Sequence, residues 1–132
     1  MSKMKGVFAI GLVFLVLFLI LFAGLKYRTD YAKTEIMTAS SYDGQYRLVI
    51  YMVGEPDWPF GETHCRFDLF NENKRITKCP FSIRNDGAKA HEENFNIIWS
   101  TDSVSISVSG EEQEERVYRL NYDGTILDVR KR

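Results

Sequence analysis

Residues 6–25, opening at Gly6 and closing at Leu25, are 20 consecutive side chains without a charge or a strongly polar group, dominated by Leu, Phe, Val and Ile. A helix rises about 1.5 Å per residue, so this run reaches about 30 Å, the thickness of a bilayer's hydrocarbon core. Such a helix is apolar all round and has no face to turn to water. Phe14, Phe18 and Phe22 stripe one side of it. With no small-xxx-small motif beside them they are read as facing lipid.

A secretory signal peptide is the competing reading, because Lys3 and Lys5 precede the run. Signal peptides have apolar segments of about 7–15 residues and small residues at the cleavage site. This run is longer and ends Leu21-Phe22-Ala23-Gly24-Leu25. Cutting after Ala23 or Gly24 would put Leu21 or Phe22 where a small residue is required. An uncleaved signal-anchor is therefore expected, and with no cysteine nearby a lipid-modified cysteine is not available there.

Orientation follows the basic residues flanking a span. Lys3 and Lys5 stand against Lys26, Arg28 and Lys33, a nearly balanced tally. The amino-terminal side carries no acid and adds the α-amino charge, so we expect the N-terminus inside and the rest of the chain outside the cytoplasm. All 18 acids and 15 of the 17 Lys and Arg residues follow the span, a formal charge of −3 for that portion. Nucleic acid is thus not an expected partner, since binding it needs a basic face. Arg130, Lys131 and Arg132 read as a solvated tail. The organisation is an N-terminal tail and transmembrane helix over 1–25, a short polar linker over 26–34 and an antiparallel all-β domain over 35–132.

The β assignment rests on a period of two with turn residues at regular intervals. In Phe95-Asn96-Ile97-Ile98-Trp99 the odd positions are apolar; in Val104-Ser105-Ile106-Ser107-Val108 the even ones are. A two-residue turn at Thr101-Asp102 sets Trp99 against Val104, Ile97 against Ile106 and Phe95 against Val108. A five-residue loop over 111–115 would set Tyr118, Leu120 and Tyr122 against Val108, Ile106 and Val104. A two-residue turn at Asp123-Gly124 would set Leu120 against Leu127 and Tyr118 against Val129. Asp43-Gly44 folds a strand near residues 36–41 onto 46–53, with Ala39 opposite Leu48 and Met37 opposite Ile50. Residues 64–70 and 75–83 read as a further hairpin. About eight half-apolar strands need two covered faces or a closed sheet, so the fold class is an antiparallel β-sandwich or small barrel following a single transmembrane helix.

Cys65 and Cys79, the two cysteines of the chain, fall on the two arms of that last hairpin. Outside the cytoplasm they are candidates for a disulfide. A loop with an odd number of residues would place them opposite each other; a four-residue turn would pair Leu69 with Ile76 and leave Cys65 facing Pro80. Two buried free thiols are the other outcome. A zinc site would need His64 and His91 as well, but no close C-x-x-C or H-x-x-x-H pair is present and His64 and Cys65 point to opposite faces of a strand. No catalytic, metal or cofactor motif is expected: there is no Gly-x-Ser-x-Gly turn, Gly-rich phosphate loop or cofactor fingerprint. Glu111, Glu112, Glu114 and Glu115 around Gln113 read as a solvated acidic loop.

The segment 54–62 places Trp58 and Phe60 among two prolines and two glycines. Aromatics on a loop are binding anchors, and these two are the candidate contacts for a partner unless they fold back to plug an open end of the β core. The expected function is a membrane-anchored, non-enzymatic interaction or accessory module, partnered by the bilayer through residues 6–25 and by a protein at the same surface. The alternatives are a small thiol-dependent enzyme using Cys65, Cys79 or His91, and a cytoplasm-facing tethered inhibitor of the immunity type.

Overall fold

The computed structural model describes residues 2–130, and of Val129 and Arg130 the backbone alone. Lys131 and Arg132 of the basic tail lie outside the described residues. Helix α1 (Ser2–Asp30) has 29 residues and buries none of them against the rest of the protein. It is long and apolar enough to cross a membrane. The polar residues expected to open a linker instead prolong the helix. Lys26 pairs with Asp30 at 3.2 Å, and the Thr29 hydroxyl donates to the Leu25 carbonyl at 2.9 Å. Such pairs at i, i+4 support a helix end once the apolar run is over. Tyr31 and Ala32 alone separate α1 from the first strand.

Two four-stranded antiparallel sheets follow, each a meander. The first holds β1 (Lys33–Ser40), β2 (Tyr46–Val53), β3 (Thr63–Asn71) and β4 (Lys74–Ile83); the second holds β5 (Phe95–Trp99), β6 (Ser103–Gly110), β7 (Gln113–Asn121) and β8 (Ile126–Arg130). Their inner faces form one core of Leu48, Ile50, Phe67, Leu69, Phe81 and Ile83 against Val104, Ile106, Val108, Tyr118 and Leu120. The two sheets make a β-sandwich. Four rings cross the interface: Phe67 stacks on Phe81 with centroids 4.0 Å apart, and Tyr118 meets both at 5.5 Å. Phe95 meets Phe67 edge-on at 6.3 Å. Offset and edge-on pairs of this kind add about 0.5–1.5 kcal/mol each beyond the area they bury.

Several registers stand as expected. Trp99 opposes Val104, Ile97 opposes Ile106 and Phe95 opposes Val108; Ala39 opposes Leu48 and Met37 opposes Ile50. Three hairpins differ. Between β6 and β7 the turn is Glu111-Glu112 rather than a five-residue loop, because Gln113 already pairs with Gly110; Leu120 then faces Val104 and Tyr118 faces Ile106. Slipping by two residues keeps the same side chains inside. Between β7 and β8 the slip is one residue. The Asn121 N–H donates to the Thr125 carbonyl, making Tyr122-Asp123-Gly124 a three-residue loop closed by Gly124 at φ 95°. Ile126 therefore opposes Leu120, and Leu127 opposes Arg119 on the outer face.

In β3–β4 the turn is Glu72-Asn73, and a register shift beside Leu69 sets Phe67 opposite Cys79 and Cys65 opposite Phe81. The cysteines are diagonal rather than facing, and both are free and buried. Diagonal neighbours stand about 7–8 Å apart, whereas a disulfide needs Cβ atoms within about 4.5 Å. That offset is why the expected bond is not formed.

Strand directions give the sandwich two distinct ends. β1 runs away from α1 and β2 returns to it, so residues 54–62, the 84–94 crossover and the Glu111-Glu112 turn lie at the helix end. The turns at 41–45, 72–73, 100–102 and 122–125 lie at the far end, about 25 Å away for strands of eight residues. At the helix end β2 is joined directly to α1. The Gly54 N–H donates to the Ala32 carbonyl at 2.8 Å, and the Glu55 N–H to the Thr29 carbonyl at 2.6 Å. The Thr29 carbonyl is one that a helix end leaves without an intrahelical partner, and Ala32 lies just beyond that end. Gly54 has φ 71°, and a Cβ there would sit 2.2 Å from the Thr29 oxygen. Only glycine permits this approach.

Gly44 tests that statement, since it shares a positive φ of 75° but has open space around it. Gly44→Ala should lose only the conformational term of about 1–2 kcal/mol. Gly54→Ala should lose that and more through the collision with Thr29 and Asp30. Denaturant unfolding of both variants in detergent checks this; equal losses would remove the helix–sheet contact as a constraint.

Candidate functional site

The sulfhydryls sit on the inner face of the first sheet. The Cys65 S–H points at the Thr63 carbonyl at 3.9 Å and that of Cys79 at the Pro80 carbonyl at 3.9 Å. Burial pushes the Cys65 thiol up to about 12. Burial, and then the nearby Asp128 carboxylate, raise that of Cys79. Nucleophilic cysteines show the opposite trend, with a thiolate favoured by positive surroundings and open access. His91 is exposed, with its Nδ1 4.0 Å from Glu93, and His64 points outward to Asp57 at 3.0 Å. The structure brings neither ring to a thiol by any hydrogen bond. Among the described residues no group of three or more His, Cys, Asp and Glu side chains could hold a metal ion.

Trp58 and Phe60 are not a plug. They are 92% and 72% exposed, the reverse of the alternative in which they close the core. The loop that carries them is nonetheless well built. The Asp57 N–H donates to the Glu62 carbonyl at 3.0 Å, and the Gly61 N–H to the Asp57 carbonyl at 2.7 Å. A Cβ at Gly61 would lie 2.4 Å from that of Asp57, and one at Gly87, from the neighbouring crossover, 3.1 Å from the Phe60 Cα. Each acid in the loop has a basic partner: Glu55 meets Lys89 at 3.3 Å, Asp57 meets His64, and Glu62 meets Arg84 at 3.3 Å. The Ser82 hydroxyl also donates to Glu62 at 2.9 Å. That bond, and then the Arg84 guanidinium, hold the Glu62 carboxyl below its ordinary value.

The acidic segment is mostly strand. The Arg84 N–H donates to the Gln113 side chain at 2.9 Å, and the Glu112 N–H to the Arg84 carbonyl at 3.3 Å. Gly110 permits this, since a Cβ there would meet the Arg84 oxygen at 2.3 Å. Two buried asparagines tie the crossover to the same hairpin. Asn85 accepts from the Glu111 N–H at 3.3 Å, and Asn94 donates to the Ser109 carbonyl at 2.8 Å.

Residue patterns did not single out the far end, yet a cleft of about 510 Å³ opens there between the two sheets. Tyr46 and Tyr122 stack across it with centroids 3.7 Å apart. The Tyr122 hydroxyl donates to the Ser100 carbonyl at 3.0 Å. Trp99, Thr101, Gln45 and Asp43 line the rest, and Tyr42 stands at its lip, 95% exposed. The Ser41 hydroxyl, at 2.6 Å, and then the Gln45 N–H hold the Asp43 carboxyl below its ordinary value. Asp43 is thus a fixed anion beside an aromatic floor. The signal that could have found this cleft is the repeated Tyr-Asp-Gly at 42–44 and 122–124. Because the crossover leaves and re-enters the sandwich at the helix end, both turns fall at the same end.

No protein-family model matches the chain, and neither does any curated protein or solved structure.

Both thiols should be silent to a disulfide-exchange reagent at neutral pH while the protein is folded, and both should react once it unfolds. Because burial raises the folded pKa of Cys65, its contribution to stability is fully present below the ordinary thiol pKa of 9.0 and is lost as pH rises through about 12. Fast labelling of the folded protein at neutral pH would mark an accessible thiolate instead.

Proposed function

We propose that this is a single-pass membrane protein whose helix holds a non-enzymatic β-sandwich outside the cytoplasm, where the sandwich acts as an interaction or accessory module for a protein at the same membrane surface. The supporting observation is the division of labour between its two ends. One end is joined to the helix by the Glu55 backbone hydrogen bond to Thr29 and to the residues just after it by that of Gly54 to Ala32, which gives the sandwich a defined stance on its anchor. The other end carries the Tyr42, Tyr46, Trp99 and Tyr122 cleft, about 25 Å from the helix. Aromatic residues around a few polar groups are the composition of an interface centre. Burial of the two thiols weighs against the thiol-dependent enzyme, because such chemistry needs an exposed thiolate.

A photoreactive amino acid placed at Tyr42 in the full chain, in its native membrane, tests this reading. It should give one discrete protein adduct, whereas the same group at Lys78, on the outer face of the first sheet, should give none. Tyr42→Ala should leave the unfolding free energy within about 0.5 kcal/mol of wild type, as expected for an exposed side chain. No adduct at Tyr42, or equal adducts at both positions, would remove the cleft as the partner site. Trimming of the sandwich by protease only after cells are opened would place it on the cytoplasmic side.

A further inference from the structure

We infer that Trp58 and Phe60 are seated in the interfacial layer of the bilayer that α1 enters, so that the sandwich stands on the membrane at two points, its helix and this aromatic loop. The inference rests on the reading of α1 as a membrane span.

Three observations lead to it. The root of the loop is fixed to the last turn of the helix by the Glu55 hydrogen bond to Thr29, and to the residues just after it by that of Gly54 to Ala32. The loop therefore begins where α1 leaves the membrane. The apolar run ends at Leu25, and Thr29 is about 6 Å further along the axis at 1.5 Å per residue. From Glu55 to Trp58 the chain can span about 10 Å at 3.3 Å per residue. The reach exceeds the height, so Trp58 can arrive at the headgroup layer, which is about 5–7 Å thick on each side.

The exposure of both aromatics is built rather than incidental. Hydrogen bonds close the loop at Asp57, Gly61 and Glu62, and the crossover packs at Gly87 against the Phe60 backbone. A rigid loop holding Trp and Phe outward suits a medium that welcomes an amphipathic ring, and Trp is enriched where bilayer meets water. Tyr27 and Tyr31, 62% and 61% exposed on and just after the end of α1, stand in the same zone. With them the loop makes a partial aromatic belt.

Charge decides the kind of lipid. The loop acids Glu55 and Glu62 are paired with Lys89 and Arg84, and Asp57 is held by the His64 ring at 3.0 Å. The loop thus offers no basic patch that would need anionic lipid. Zwitterionic phosphatidylcholine should suffice, and anionic lipid should add little.

The chain has two tryptophans, Trp58 at the helix end and Trp99 at the far end. Wild-type protein and Trp58→Phe, both full length, are reconstituted into phosphatidylcholine vesicles carrying lipids brominated either near the headgroup or deep in the acyl chain. Trp58 gives the difference between the two proteins, and Phe at an exposed position leaves the fold intact. Wild type should lose fluorescence several-fold more with shallow than with deep bromines, and Trp58→Phe should show almost no quenching. Co-flotation without quenching of wild type would overturn the inference and leave the anchor standing; it would then assign the loop to water or to a protein partner. Failure of both proteins to float with vesicles would overturn the membrane span and this inference with it.

Discussion

Two backbone hydrogen bonds, from Gly54 and Glu55 to the carbonyls of Ala32 and Thr29, hold together parts that have opposite solvents. The helix satisfies its own backbone and exposes only apolar side chains over residues 6–25, which suits lipid. The sandwich buries its apolar faces between two sheets and turns charged strands outward, which suits water. A flexible linker would let these two bodies move independently. Here the helix runs on through Asp30, and the strand that leaves it comes back to bond its last turn, which becomes an extension of the first sheet's edge. The absence of a Cβ at Gly54 is the stereochemical condition for this. Which loops lie at the helix end and which lie at the far end then follow from strand direction alone.

Much of the fold was legible because hydrophobic alternation and turn chemistry agreed. Ile97, Ile106 and their neighbours could be paired from the Thr101-Asp102 turn because both strands alternate cleanly and the turn is short. Where the reading missed, turn length was the cause. An Asp-Gly pair serves a two-residue turn or, with glycine as the last residue, a three-residue loop; Gly124 takes the second course and moves Leu127 from the core to the surface. At Glu111-Glu112 the acidic side chains suggested a solvated loop, but the distant Arg84 backbone donates to the Gln113 side chain and accepts from the Glu112 N–H, and Gln113 joins the strand. The Cys65–Cys79 offset came from a register shift near Leu69 that no local pattern signals.

Candidate residues were legible in kind but not in place. Trp58 and Phe60 stood out as aromatics among turn residues, and they are exposed. That they lie beside the end of the helix follows from topology, through the return of β2 to it. The far-end cleft was hidden for a similar reason: Tyr42, Tyr46, Trp99 and Tyr122 come from three different turns and meet only when the two meanders pack face to face. Thiol chemistry is the one class for which burial supplies a physical obstacle, since Cys65 and Cys79 lie in the core with their ionised forms disfavoured.

Amide hydrogen exchange of the full chain in lipid nanodiscs measures the central junction most directly. Residues 6–25 should be protected throughout, and the Gly54 and Glu55 amides should exchange as slowly as the Leu48 and Ile50 amides of β2, because the Glu55 acceptor, Thr29, belongs to the helix and the Gly54 acceptor, Ala32, to the short segment that joins it to β1. Free exchange at 54 and 55 beside a protected β2 would mean that the sandwich hangs from its anchor by a loose tether.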